Sequence, residues 1–274
     1  MFRAELLSLV TTTATKVSAT IALVGLVVTQ LIFVTVLPAL ARGDIGPGAE
    51  ALGSDFPGLD LATAAAQLDT INPLGASIGG GSIGIALIAV VLLGVLAGAS
   101  DDRYGGIVGA VLASPRRGRL VIGKAAAVGL GGVGIGILMG LASFTMLLAT
   151  LMVTGNPLTI GAGDILASIG RGVLAITLLT VIGLAVGILV RTQLAGVITV
   201  LAALLFEPIL ASMMQLIGGG VTPLWTQYLP VALAQNVIHG GSPDVPLLVA
   251  IGALIALTTT LLAAASVALS RRDI

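Results

Sequence analysis

The sequence predicts an all-α, polytopic membrane protein with six transmembrane helices, an N-terminal interfacial helix, a short cytoplasmic helix and both termini in the cytoplasm. The first observation is composition: 57% of the 274 residues are hydrophobic, 9% are charged, and the mean hydropathy is +1.17. Soluble domains carry about 25% charged residues, so lipid is the natural solvent of this chain. The second observation is the spacing of the charges, which leaves long uncharged intervals. The third is their uneven distribution between the two sides of those intervals.

Composition and charge exclude several classes of protein. The 12 basic and 12 acidic residues balance to a net charge of zero, so no overall positive field favours nucleic acid. The chain has no cysteine, which excludes disulfides, thiolate metal sites and cysteine nucleophiles. The one histidine, His239, has only Asp244 near it in sequence and cannot build a metal cluster alone. We therefore expect no catalytic constellation, metal or cofactor on this chain, which by itself would not be an enzyme.

Uncharged intervals locate the membrane-spanning helices, because a span needs roughly 20 apolar residues. An A-x-A tripeptide at 39–41 offers a second interpretation of the first interval, a cleaved signal peptide, which would leave five spans. The uncharged stretch is far longer than a signal-peptide core of roughly 7–15 residues, so we expect a retained span. The six predicted spans are 17–40, 77–99, 125–153, 172–190, 194–217 and 245–269.

The cations indicate the orientation of these spans. With both termini on one side, that side holds ten of the 12 lysines and arginines, and the other side holds only Arg42 and Arg171. Such an excess is typical of cytoplasmic loops. Both termini and the 101–124 loop are therefore expected in the cytoplasm. The outer 218–244 loop is too short and too interrupted by proline to span, but could dip part-way into the membrane as a re-entrant segment.

The first 16 residues are predicted to form an interfacial helix. Apolar residues recur near i, i+4, i+7 and i+8, with the charged residues off that stripe, as in a helix that lies in the membrane surface. A plain membrane anchor and contact with a partner protein are both consistent with this pattern. The stripe comprises Phe2, Leu6, Leu9 and Val10.

Residues 118–125 read GRLVIGKA, one residue away from the nucleotide-binding P-loop pattern G-x-x-x-x-G-K-[ST]. A P-loop follows a β-strand, and its Ser or Thr hydroxyl holds Mg²⁺. Ala125 stands in place of that hydroxyl, and no alternating strand pattern precedes the segment. We therefore do not expect nucleotide binding here, and a basic juxtamembrane anchor that faces anionic lipid headgroups is the simpler explanation of the cations.

The same loop contains a candidate cytoplasmic helix. Four apolar residues at i, i+1, i+4 and i+5 form one stripe, and Ser114-Pro115 ends it because a residue before proline avoids helical geometry. Such a helix can lie on the membrane or fit a groove on a partner protein, and its length does not choose between them. The stripe is Ile107, Val108, Val111 and Leu112, and the cations that follow it are Arg116, Arg117, Arg119 and Lys124.

Glycine is abundant, with 38 residues, and several repeat at helical spacing. Gly132, Gly136 and Gly140 recur every four residues in the third predicted span. The pairs 94/98 and 183/187 do the same in the second and fourth spans. Small residues at this spacing let helix backbones approach closely, so we interpret these glycines as packing surfaces.

Glu207, followed by Pro208, is the one acid inside a predicted span. A charge in lipid is expensive, so its side chain is expected to face the bundle, a partner or water. A satisfied structural carboxylate and a contact for substrate or a coupling proton are both open. Gln30, in the first span, is a second polar residue that could line a pathway.

The order of these segments resembles the ABC-2 type permeases, the membrane subunits of ATP-driven exporters. The resemblance covers essentially the whole chain. It rests on the order and spacing of motifs that are individually weak. The matching pieces are Tyr104-Gly105-Gly106, Leu112-Ala113-Ser114-Pro115-Arg116-Arg117, Gly123-Lys124, Tyr228-Leu229-Pro230 and Ser270-Arg271-Arg272-Asp273-Ile274.

The resemblance implies a mechanism in which two copies of a separate ATPase bind ATP and Mg²⁺ beneath a prokaryotic cell membrane. The 101–124 loop would carry the coupling helix, with Tyr104, Ile107, Val108, Val111 and Leu112 docking on the ATPase and Arg116, Arg117 and Arg119 flanking them. A second permease chain, identical or closely related, would complete the pathway for a lipid, peptide or drug-like substrate. An ion-coupled secondary transporter and a non-transporting scaffold or sensor are the alternatives.

Overall fold

The computed structural model describes residues 2–41, 43, 45, 61–75, 84–104 and 117–271. Helices make up nearly all of these residues, and the described part of the chain contains no β-strand, only an isolated bridge between Gly241 and Pro246. The all-α prediction is confirmed. Within the described ranges, five helices are long and apolar enough to cross a membrane, so the chain is a multi-pass membrane protein.

The N-terminal region forms two helices that meet at an extended residue. Helix α1 spans Phe2–Thr11, and α2 begins at Thr13 after Thr12 adopts φ −69° and ψ 127°. Helix α2 ends at Gln30 and continues through a π-helical turn, Leu31–Val36, into α3, Leu37–Ala41. Together they give a first apolar helix of 28 residues, Thr13–Leu40. The sequence gives no sign of the π-turn.

Two central helices form the middle of the bundle. Helix α5, Ile85–Tyr104, packs along α7, Ala162–Val190, and both are largely buried. Glycines on each helix make the close approach possible. A Cβ added at Gly94 would collide with the carbonyl oxygen of Thr180, and one at Gly183 would collide with that of Val91. Backbone thus packs directly on backbone, as small residues at four-residue spacing allow.

The longest helix, α6, spans Arg117–Thr154 and packs on the other side of α7. The glycines singled out in the sequence line this contact. An ideal Cβ would lie 3.0 Å from the Cα of Thr177 at Gly132, 3.0 Å from the Cα of Val173 at Gly136, and 2.9 Å from Ile169 at Gly140.

Two further apolar helices lie at the periphery. Helix α8 spans Gln193–Ile217 and α10 spans Leu247–Ser270, and most of their residues remain accessible, as expected of helices that face lipid. Between them lie a 3-10 helix, Leu224–Tyr228, and a short helix, α9, Pro230–His239. One more short helix, α4, Ala64–Thr70, lies in the segment after the first span.

The ends of α5, α6 and α7 differ from the ends of the predicted spans. Helix α5 runs to Tyr104 and α6 starts at Arg117, so the predicted 101–124 loop is helical at both ends, because nothing in 117–124 stops a helix. Helix α7 begins at Ala162 rather than after Arg171, because the guanidinium of Arg171 finds a partner within the protein, as described below. The apolar part of the helix predicted as the second span is Ile85–Ser100, and residues 77–83 of that span lie outside the described residues.

Candidate functional site

Two polar regions lie at opposite ends of the bundle. The first, here called the cap, consists of residues 61–75 together with α9. The second, here called the termini end, is where α1, the start of α6 and the last turns of α7 and α10 meet.

The start of α9 is capped by Glu207 from the middle of α8. Its Oε2 accepts a hydrogen bond from the backbone N–H of Val231 at 3.0 Å, and its Oε1 accepts one from Ala232 at 2.7 Å. Pro230 at the first position has no N–H, and the N–H of Leu233 donates to Leu229 at 2.8 Å. Every donor of the first turn is therefore accounted for, although Leu229 at the N-cap position offers no side-chain acceptor.

The end of α9 is held by Arg171 from α7. The Nε of Arg171 donates to the carbonyl oxygen of Ile238 at 3.1 Å, and the guanidinium lies beside Gly240. Gly240 closes the helix in the left-handed conformation with φ 91°. A cation at a helix C-terminus and an anion at its N-terminus both interact favourably with the helix dipole.

Hydrogen bonds from buried side chains hold the 61–75 segment, which precedes α5, on the bundle. Gln30, only 1% exposed, donates through Nε2 to the carbonyl oxygens of Thr70 at 2.7 Å and Asn72 at 3.4 Å. Ser143 of α6 donates to the same Asn72 carbonyl at 3.2 Å. Pro73 lies directly against Gly172 of α7, where any side chain would collide with the proline ring.

Side chains also join the two parts of the cap to each other. Asn72 Nδ2 donates to Gln235 Oε1 of α9 at 2.9 Å. His239 Nε2 lies 2.7 Å from Asp69 Oδ1, and its Nδ1 lies 2.8 Å from the carbonyl oxygen of Gln235. The hydrogen bond with Asp69 is the main reason that the pKa of His239 is raised above its ordinary value, against opposing contributions from burial and Arg171.

The cap is thus joined by hydrogen bonds to α2, α6, α7 and α8. The predicted pathway residues Glu207 and Gln30 both contact the cap. Glu207 binds backbone groups of α9, and Gln30 binds those of the 61–75 segment. A role for either in substrate movement stays a prediction. The described residues contain no group of three or more histidine, aspartate or glutamate side chains placed to hold a metal ion.

The termini end is closed by an apolar cluster. Leu9 of α1, Leu120 of α6 and Leu269 of α10 are all buried there, together with Ile188 near the end of α7. Helix α1 and the last turn of α10 therefore lie at the same end of the bundle. Of the predicted interfacial stripe, Leu9 is buried against the protein, whereas Phe2 and Val10 are exposed. The location of α1 in the membrane surface stays a prediction.

An ion pair between a buried lysine and a partly exposed glutamate lies next to this cluster. Lys124 of α6 is 3% exposed, and its Nζ lies 3.9 Å from Oε2 of Glu5 on α1. Residues 118–125 belong to a continuous helix, whereas a nucleotide-binding P-loop requires a loop at this position. The cation that completes the P-loop-like pattern therefore fixes α1 to the bundle.

The structure positions only part of the predicted coupling region. Tyr104 is the last residue of α5, Arg117 is the first residue of α6, and the side chain of Arg119 is exposed on the first turn of α6. The other predicted coupling residues lie outside the described residues: Ile107, Val108, Val111, Leu112 and Arg116.

Several residues of these two regions were missed by the sequence interpretation. The sequence predicts a span that starts after Arg171 and gives no contact of Arg171 with α9, and it does not predict the pair of Glu5 with Lys124. One signal could have indicated the Glu207 contact. Pro230 and Gly240 mark the start and end of a helix that lacks its own N-cap side chain. Glu207 is the one acid inside the predicted span that precedes this helix.

No protein-family model matches this chain, and no curated protein matches it in sequence.

Proposed function

We propose that this chain is the permease subunit of an ATP-driven exporter in a prokaryotic cell membrane, with a separate ATPase bound at the termini end. The proposed cargo is a lipid, a peptide or a drug-like compound. The observation that carries the proposal is the geometry of the termini end. Helix α5 ends and helix α6 begins beside α1 at that end, and the sequence between them, 105–116, carries the predicted apolar stripe and cations.

This arrangement favours six membrane-spanning helices. Helix α5 has 20 residues, which gives a length of about 30 Å, close to the thickness of the hydrocarbon core. Leu9 of α1 and Leu269 of α10 share one cluster, so the chain enters the bundle and leaves its last helix at the same end. An even number of membrane crossings gives this arrangement. The positive-inside rule then assigns that end to the cytoplasm.

A second permease chain is part of the proposal. One six-span unit without an internal repeat forms half of a symmetric pathway, and two-fold symmetry is the commonest way to complete one. Two ATPase subunits would match the two permease chains. ATP and Mg²⁺ would bind on the ATPase, and force would reach this chain through the 105–116 segment and α1.

The test is capture of the ATPase from native membranes with an affinity-tagged chain. We expect a stoichiometric partner with a complete Walker A motif, and loss of that partner in Val108→Glu and Val111→Glu, because a charge on the stripe prevents apolar docking. Leu158→Glu is the matched control, since Leu158 is exposed in the loop at the cap end.

Two outcomes would contradict the proposal. If the glutamate variants retain the ATPase as well as the control does, the 105–116 segment does not couple the two proteins. If the purified chain moves solutes across proteoliposomes without any ATPase, it is an ion-coupled secondary transporter. Glu207, the one acid inside a predicted span, is engaged with backbone N–H groups of α9, which weighs against such ion coupling.

A further inference from the structure

His239 is the one histidine of the chain, and both nitrogens of its ring face hydrogen-bond acceptors. Its Nε2 lies 2.7 Å from Oδ1 of Asp69 on α4, and its Nδ1 lies 2.8 Å from the carbonyl oxygen of Gln235, one turn earlier in α9. A carboxylate and a carbonyl oxygen only accept, and a neutral imidazole has a single N–H to donate. Only the protonated ring, with two N–H groups, donates to both, so the geometry fits the charged form of this side chain.

The ring lies at the junction between the two parts of the cap, which are anchored separately. Helix α9 is held at its two ends by α7 and α8, as described above. Helix α4 is held by fully buried Gln67, which donates to the carbonyl oxygen of Pro157 at 2.9 Å and accepts from the N–H of Thr159 at 2.9 Å. Helix α4 does not pack along α9. Among the described residues, the side-chain hydrogen bonds across the junction are Asn72 with Gln235 and Asp69 with His239.

The two contacts across the junction differ in their access to water. Asn72 is fully buried, and its amide does not titrate. The side chains of His239 and Asp69 are 39% and 30% exposed, so a proton reaches the ring from the water at the cap end. The contact at the surface of the cap is therefore the one that responds to pH.

Two charged side chains act on the ring. The hydrogen bond with Asp69 of α4 raises the pKa of His239 above its ordinary value, whereas burial and Arg171 of α7 act in the opposite direction. Asp244, in the loop after α9, accepts a hydrogen bond from Gln227 at 3.2 Å. Loss of the ring proton therefore removes an attraction across the junction and leaves α9 anchored by Arg171.

We propose that His239 is a pH-sensitive latch, which holds the 61–75 segment on α9 while its ring is charged and releases it when the ring loses its proton. A neutral ring donates at most one of the two hydrogen bonds, and the ion pair with Asp69 disappears. The buried pair of Asn72 and Gln235 then holds the junction without it, so the junction opens to water more often as the pH rises. The latch does not depend on the proposed transport function, because its parts all lie within this chain.

The first measurement detects the proton itself. With a purification tag that contains no histidine, ¹⁵N-labelled histidine gives one pair of ring-nitrogen signals in the NMR spectrum, because the chain has one histidine. We expect both nitrogens to be protonated at about pH 6.5, the ordinary pKa of histidine, and the titration midpoint to fall in Asp69→Asn. A parental midpoint at or below about 6.5 would overturn the proposal.

The second measurement detects opening of the junction. Hydrogen exchange of the 61–75 segment and α9 is followed by mass spectrometry from about pH 6 to about pH 8.5 and corrected for the intrinsic effect of pH on exchange. We expect protection to fall about fivefold as the ring loses its proton, the factor that about 1 kcal/mol produces, while protection of α7 stays constant.

Variants assign the fall in protection to the latch. In His239→Gln and Asp69→Asn the protection should no longer depend on pH, whereas Asp244→Asn, the control at the acid bonded to Gln227, should behave like the parent. A fall that persists in His239→Gln, or that extends equally to α7, would mean that the ring does not hold the junction.

Discussion

Glu207 and Arg171 hold opposite ends of the same short helix, α9. Glu207 accepts hydrogen bonds from the first N–H groups of that helix, and Arg171 donates to one of its last carbonyl groups. One residue comes from α8 and the other from α7. The position of α9 over the bundle is therefore fixed by two charges on two different helices, each with the sign that its end of the helix dipole attracts.

The Glu207 cap predicts a loss of stability when the carboxylate is removed. Glu207→Ala leaves the N–H groups of Val231 and Ala232 without their acceptors in a buried site, which should lower the free energy of unfolding by about 1–3 kcal/mol. Glu207→Gln retains one acceptor oxygen and should lose less. Thermal unfolding in detergent measures both, with Gln215→Ala on the exposed face of α8 as the control. Parental stability in Glu207→Ala would refute the capping role.

The contact between His239 and Asp69 predicts that the stability of the cap depends on pH. Because the hydrogen bond with Asp69 raises the pKa of His239, the folded protein binds the proton more tightly than the unfolded chain does. The stabilisation is fully present below the unfolded value of about 6.5, and it is lost as the pH rises through the higher folded pKa. Arg171 is the other charged group that acts on the imidazole, and its effect opposes the rise in the pKa of His239.

The measurement is the midpoint of thermal unfolding from about pH 5.5 to about pH 8.5, the range in which a histidine titrates. We expect the parent to become less stable across the upper part of this range. His239→Gln and Asp69→Asn should both flatten the profile, because each removes one partner of the pair. A parental profile in His239→Gln would show that another group causes the pH dependence.

The glycines of α6 allow a comparison within one helix. Gly136→Leu should prevent assembly of the bundle, because even a Cβ at this position would lie 3.0 Å from the Cα of Val173. Gly134→Leu should be tolerated, since a Cβ there meets nothing within 4 Å. Size-exclusion chromatography after purification distinguishes a monodisperse protein from an aggregate. If the two variants behave alike, the contact between α6 and α7 is not the one described.

The helices and their glycine faces could be predicted from the sequence, because uncharged intervals and four-residue spacing are local patterns. The cap could not, since its contacts join residues far apart in the chain, such as Gln30 with Thr70 and Asn72 with Gln235. Which residues of α1 contact the protein could not be predicted for a different reason. In a membrane protein lipid also accepts apolar side chains, so a stripe that includes Phe2 does not reveal which of its residues contact protein.

The contact between the cap and α7 predicts a disulfide that should form without distortion. An ideal Cβ at Gly172 lies 3.7 Å from the Cβ of Pro73, within the range of about 3.5–4.5 Å found in disulfides. The chain has no cysteine of its own, so Pro73→Cys combined with Gly172→Cys gives the one possible intramolecular pair. Substitution of Pro73 also removes the ring that crowds Gly172.

Oxidation of this double variant should consume both thiols, as counted by a maleimide mass shift, and should raise the unfolding midpoint relative to the reduced form, because the link constrains the unfolded chain. Each single-cysteine variant should keep a free thiol under the same conditions. If export requires the cap to move away from α7, the oxidised protein should also lose transport and recover it on reduction. Failure of the pair to oxidise would mean that the 61–75 segment does not lie on α7, and transport that continues with the disulfide intact would mean that the cap remains in place while cargo passes.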